Sequence, residues 1–316
     1  MLKLNTNHCK ETKDKKSKIG CFKNSLKYYY INKKGKSMGK IIAISNQKGG
    51  VGKTTTAINL ANALTNKEKK VLIIDLDPQA NASIGVGLNR EYIDLTSFDL
   101  LTKDINVKDV IYSSLDLPFH IIPASNKLAE IYAYLFSLQE KELVLQKKLK
   151  DAKNEYDYIL IDCPPSLGIL VDNALFAADS IIIPVECNYY AYEALTQVVN
   201  QINSIQKIKK NQGTSLSIEG VLLTKLDNRS LVGYKIAEKV KEMFPTKTFK
   251  TIINRSSHIE EAPIYGQTVI KYAFNSKGSK DYRELAKEII EKEGECNAWF
   301  FKNNWLVKRL LGKTCY

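Results

Sequence analysis

The chain has 316 residues, 44% of them hydrophobic and 26% charged, enough for one large or two small soluble α/β domains with a substantial core. Its net charge of +13 suggests nucleic acid, but residues 1–37 hold 11 Lys against 2 acidic residues and residues 291–316 hold 5 basic against 3 acidic, which leaves +2 for 38–290. No run approaches the roughly 18–20 apolar residues of a spanning helix, the start lacks a signal-peptide core, and six cysteines without CxxC spacing fit a reducing cytoplasm better than a disulfide or zinc framework.

Residues 1–37, Lys-rich with tyrosines at 28–30, are expected to be disordered. Two readings of them stand: an extension upstream of a natural start at Met38, or a basic arm for nucleic acid or anionic lipid. From Met38 onward, short β-rich runs alternate with longer helical ones. Strands are predicted at 41–45, 71–75, 120–123, 158–162, 180–185, 220–224 and 249–253, and helices at 54–66, 127–150, 191–208, 232–244 and 282–292. Several strands are apolar on both faces, as a sheet covered on both sides requires. The predicted fold is therefore α/β, a doubly wound and mostly parallel sheet with helices on both faces, binding its ligand at the carboxyl ends of the strands. The domain is placed at 38–292, with 293–316 as a C-terminal extension.

The first strand runs straight into Gln47-Lys48-Gly49-Gly50-Val51-Gly52-Lys53-Thr54-Thr55. An ordinary phosphate loop carries Gly where Gln47 stands, so the strict pattern fails, but the physics does not. Glycines let successive backbone N–H groups turn inward around phosphate oxygens, and a helix opening at Thr54 adds its positive dipole end. In that role Lys53 reaches the β- and γ-phosphates of ATP and the Thr54 hydroxyl holds Mg²⁺. Two later strands end in carboxylates, one at Asp75 and Asp77 before a Pro turn, the other at Asp162 before Cys163-Pro164-Pro165. A carboxylate at a strand tip beside a phosphate loop can hold Mg²⁺ or place an attacking water.

With Lys48 ahead of the glycine run, the loop resembles the deviant Walker A ATPases, the family of ParA, Soj and MinD. The resemblance implies that Lys48 crosses an ATP-bridged homodimer to the partner's nucleotide and acts as a finger supplied in trans. Four further stretches extend it over about residues 38–290: DLDPQANAS at 75–83, the Asp162 segment, GVLLTKLDNRS at 220–230 and INRSSHIEEAPIYG at 253–266. These resemble ParA and Soj more than MinD. They imply that Asp77 positions the hydrolytic water and that Asp162 lies near Mg²⁺ and the γ-phosphate.

The same family binds DNA non-specifically, and the basic positions of its motifs fall here on Arg229 and Arg255, with Lys250 nearby. His258 stands where a second arginine is common, and neutral His weakens a phosphate contact near pH 7. Lys247, Lys271, Lys277 and Lys280 could compensate. The function implied is slow, partner-stimulated ATP hydrolysis in chromosome or plasmid segregation, with a ParB-like centromere-binding partner and a cytoplasmic, nucleoid-associated location. The alternative is a MinD-like membrane ATPase that positions division. It draws on residues 296–316, where Trp299, Phe300, Leu306, Val307, Leu310 and Leu311 share one helical arc and Lys302, Lys308, Arg309 and Lys313 take the other, a division that Asn303, Phe301 and Trp305 spoil. A third class, the iron–sulfur reductases sharing this loop, needs cluster-ligating cysteines, and Cys163 reads instead as a small buried residue.

Overall fold

A computed structural model describes residues 38–303 apart from 189, 190 and 228. Residues 1–37 and 304–316, with the expectations placed on them, lie outside the described residues, and of 191–194 and 295–303 only the backbone is described.

Six strands form one parallel sheet: β1 Lys40–Ile44, β2 Val71–Asp75, β3 His120–Ile122, β4 Tyr158–Asp162, β5 Ser180–Glu186 and β6 Ser217–Thr224, in the order β3-β2-β4-β1-β5-β6. Every residue of β1, β2 and β4 is buried. Alternation explains how. Ile41 and Ala43 of β1 point into one core with Ile159 and Ile161, while Ile42 and Ile44 point into the other with Leu160 and Ile182.

Eleven α-helices are described: α1 Lys53–Thr65, α2 Asn81–Gly85, α3 Ser97–Thr102, α4 Ile131–Phe136, α5 Val144–Lys148, α6 Ile169–Ala177, α7 Ala191–Asn211, α8 Leu231–Met243, α9 Ser257–Glu261, α10 Val269–Tyr272 and α11 Lys277–Asn303. Helices α1 and α11 supply one core, with Tyr282, Leu285 and Ile289 from α11. Helix α6 enters the other, and eight of its nine residues are buried. That uniform burial explains its absence from the predicted elements, because a helix apolar all round has no amphipathic period to detect.

Two predicted elements are corrected. Residues 249–253 do not form a seventh strand. They run beside β6 between isolated bridges at Val221–Thr248 and Leu226–Asn254, with only the Phe249 and Ile253 N–H groups donating to β6 carbonyls, those of Val221 and Leu223. The N–H groups of Lys250 and Thr251 donate instead to the Glu288 carboxylate at 2.9 and 3.0 Å. The predicted helix at 127–150 breaks into a 3₁₀ turn over Asn126–Glu130, then α4 and α5. At the break, the Ser137 hydroxyl donates back to the Tyr134 carbonyl and Asn173 Nδ2 donates to the Lys141 carbonyl, both competing with helical pairing.

Candidate nucleotide site

The carboxyl ends of β1, β2, β4 and β6 converge on a cavity of about 570 Å³, a size suited to a nucleotide. One wall is the glycine loop between β1 and α1. Gly50 and Gly52 sit at φ 72° and 94°, a backbone region other residues enter only with strain. Gly52 caps α1 without a side-chain bond to the first-turn N–H groups, which leaves that turn able to receive an anion. The loop is clamped from outside: Asn46 Nδ2 donates to the Pro184 carbonyl at 2.7 Å, the Lys48 N–H to Asn46 Oδ1 at 3.0 Å, and the Thr224 hydroxyl to the Val51 carbonyl at 2.8 Å.

Gly49, Gly50, Gly52, Lys53, Thr54 and Thr55 line the cavity, while Val51 turns its side chain into the protein as an anchor. Lys53 is 6% exposed and its Nζ donates to the Lys48 carbonyl at 3.0 Å. Burial pulls its pKa below the usual lysine value, and Asp162 and Asp77 oppose that. The ammonium is thus desolvated and poised for a denser negative charge than those carboxylates supply.

Asp75 and Asp162 are register partners at the tips of β2 and β4. Their environments differ. Asp75 accepts from the Asp77 N–H, the Ser83 N–H and the Ser83 hydroxyl at 3.1, 2.9 and 2.8 Å. It organises the loop that follows β2, and burial, outweighing those bonds, pushes its pKa up to about 6. Asp162 is fully buried, and neither of its oxygens has a hydrogen-bond partner. Burial first, and the Asp75 carboxylate second, hold its pKa well above the usual range. The Lys53 ammonium acts on it, and its two oxygens, without hydrogen-bond partners, can still take a metal ion. Thr54 lines the cavity and Asp162 lies buried within reach of the Thr54 side chain, a donor pair that fits Mg²⁺, which is commonly held by one or two protein oxygens together with phosphates.

Asp77 also lines the cavity, 6% exposed, and its Oδ1 accepts the Gln79 N–H at 2.9 Å. The opposite wall is made by Thr224, Lys225, Asn254, Arg255, Pro263 and Gln267. It draws on the later motif stretches, but which of their residues face the nucleotide was not readable from order alone. Asp75 was likewise seen only as part of a strand end.

Lys48 behaves unlike Lys53. Its ammonium reaches the end of β5, donating to Asn188 Oδ1 at 3.0 Å and pairing with Glu186 at 3.5 Å. Glu186 and Asn188 carried no sequence signal beyond lying at a strand tip. Of the DNA candidates, Arg229 and Arg255 are exposed on adjoining segments, joined where the Arg255 N–H donates to the Leu226 carbonyl at 3.0 Å. Lys250 is exposed on the segment held by Glu288. Two of the compensating lysines are engaged, Lys271 with Asp116 and Lys277 with Asp281.

Residues 39–217 match the family model of an AAA domain, and residues 146–303 match that of the 4Fe-4S iron–sulfur cluster binding proteins of the NifH/frxC family. The sporulation initiation inhibitor protein Soj of Bacillus subtilis is 46% identical over 252 residues, covering 80% of this chain and 98% of that protein. The chain belongs to the ParA/Soj family of partitioning ATPases. The chromosome-partitioning ATPase Soj of Treponema pallidum is 40% identical over 258 residues, 82% of this chain and all of that one. Among solved structures, cobyrinic acid a,c-diamide synthase of Mycobacterium smegmatis with bound ADP and magnesium superposes with a TM-score of 0.68 at 29% identity, covering 79% of this chain and 93% of that one. Together the two family matches place the chain in the P-loop superfamily of ParA and MinD. Of the described cysteines, Cys163 is buried, with its thiol pKa pushed up by that burial, and Cys187 is half-buried.

Proposed function

We propose that this family member is an ATP-timed dimer switch that carries DNA cargo. ATP with Mg²⁺ fills the cavity, two copies close over the nucleotides, the dimer binds DNA without sequence preference, and slow hydrolysis releases it. The observation that carries the reading is the pair of lysines in one loop. Lys53 already lies in its own cavity, whereas the Lys48 ammonium is held 3.0 Å from Asn188, at the end of β5. Closing on a second copy breaks the contacts of Lys48 with Asn188 and Glu186 and offers its charge to the partner's phosphates.

In each subunit Lys53 and the glycine-loop amides take the phosphates, and Thr54 and Asp162 would hold Mg²⁺. That ion supplies charge neutralisation at the phosphoryl oxygens. Asp77 orients the attacking water toward the γ-phosphate, and the reaction is transfer of that phosphoryl group to water. A ParB-like partner accelerates this step, and the protein works in the cytoplasm on the nucleoid. The family relatives named for partitioning support the reading.

ATP-dependent binding to non-specific DNA, set beside anionic liposomes, tests it. The wild type is expected to bind DNA only with ATP and to weaken steeply with salt. The double substitution Arg229→Glu and Lys250→Glu, at exposed positions outside the nucleotide cavity, is expected to lower DNA affinity at least about tenfold and to flatten the salt slope, each lost phosphate contact removing about one from it. Capture by liposomes with no DNA binding would replace this reading with the membrane one, in which residues 296–316 act as the anchor.

A further inference from the structure

The cavity has two walls that are remote in sequence. One follows β2 and contributes Asp77, Asn81, Ile84 and Gly85; the other contributes Ala262, Pro263 and Gln267. Each wall is anchored separately. Asp75 fixes the first through Ser83. The second is tied to α1, where Asn59 Oδ1 accepts the Val269 N–H at 2.7 Å and Asn62 Nδ2 donates to the Thr268 hydroxyl.

Beyond the cavity the two walls meet backbone to backbone. Gly87 and Gly266 both have positive φ, +83° and +62°. A Cβ on Gly266 would stand 2.6 Å from the Gly87 Cα, and one on Gly87 would stand 3.2 Å from the Gly266 carbonyl oxygen. Side chains can absorb a small displacement by changing rotamer, but two abutting backbones cannot. A shift of the far wall is therefore passed to the loop that carries Asp77. The same two walls also touch nearer the cavity, where a Cβ on Gly85 would meet the Pro263 side chain at 3.7 Å.

We infer that the Gly87–Gly266 contact is a positioning element for hydrolysis, setting where the Asp77 loop stands once the far wall has closed on the nucleotide. The inference rests on the reading of Asp77 as the residue that places water. Gly266 touches no reacting atom; it acts through the loop it abuts.

The test separates turnover from binding in the full chain. Gly266→Ala is expected to lower single-turnover ATP hydrolysis about 10–100-fold, the cost of misplacing a group by around an ångström, while the Kd for ATP stays within about threefold. Gly87→Ala approaches the same contact from the other side and is expected to act in the same direction, so it serves if Gly266→Ala does not fold. Gly213→Ala supplies the control: its φ of +72° imposes the same backbone strain with nothing within 4 Å of the new methyl, and it is expected to hydrolyse ATP at the wild-type rate. Wild-type turnover in Gly266→Ala and Gly87→Ala overturns the inference, as does an equal loss in Gly213→Ala or a loss of ATP affinity that matches the loss of rate. Asp77→Ala, measured alongside, tells the two readings apart. Normal turnover there overturns both, whereas a dead Asp77→Ala beside a normal Gly266→Ala overturns the coupling alone.

Discussion

Lys53→Ala is expected to lose ATP binding, with the affinity falling by at least about a hundredfold, or about 3 kcal/mol. The figure follows from where the ammonium sits. Lys53 is 6% exposed and shares its cavity with Asp77, with Asp162 buried close beside. Removing it takes away the desolvated cation that meets the phosphates and leaves carboxylates as the nearest charges. Truncating one partner of a buried, hydrogen-bonded charge pair costs about 2–5 kcal/mol, much of it from the charge left unpaired. Arginine is a poor replacement, because its planar fork does not reproduce the compact charge that a closed glycine loop admits. Titration calorimetry with Mg-ATP gives the answer, and an affinity within tenfold of wild type contradicts the assignment.

Asp77→Ala is expected to separate binding from chemistry. Its side chain lines the cavity while Asp75, not Asp77, holds α2 to the sheet. The loop is therefore expected to keep its shape and the protein to keep ATP, while hydrolysis falls by about 10²–10⁴, the usual contribution of a group that positions or deprotonates a nucleophile. Single-turnover hydrolysis with pre-bound ATP reads this directly. Turnover within about threefold of wild type removes Asp77 from the mechanism.

These expectations draw unevenly on the sequence. The glycine loop was legible because its signal is local, a strand, positive-φ glycines and a helix start within a dozen residues, although the bonds to Pro184 and from Thr224 that clamp it are remote. Asp77 and Asp162 were legible through strand polarity, since parallel strands deliver their carboxyl ends to one edge. What Asp75 does was not legible, because the split between Asp75 organising the loop and Asp77 facing the cavity depends on Ser83 reaching back to β2. The Lys48 anchor was equally hidden, its partners Glu186 and Asn188 lying about 140 residues away. Residues 249–253 misled for a related reason: their β-rich composition is real, but a carboxylate on α11 takes the Thr251 N–H, which in a regular strand would go to β6 between those of Phe249 and Ile253, and the Lys250 N–H with it.

The proposed dimer assigns Lys48 to the partner's nucleotide, and the mass of the protein in solution tests it. Light scattering on Asp77→Ala, which holds ATP without consuming it, is expected to show the monomer mass without nucleotide and twice that mass with Mg-ATP. Adding Lys48→Ala is expected to return the mass to that of the monomer while ATP still binds. A double variant that remains dimeric in ATP, or an Asp77→Ala protein that stays monomeric there, contradicts the assignment of Lys48 to a second subunit.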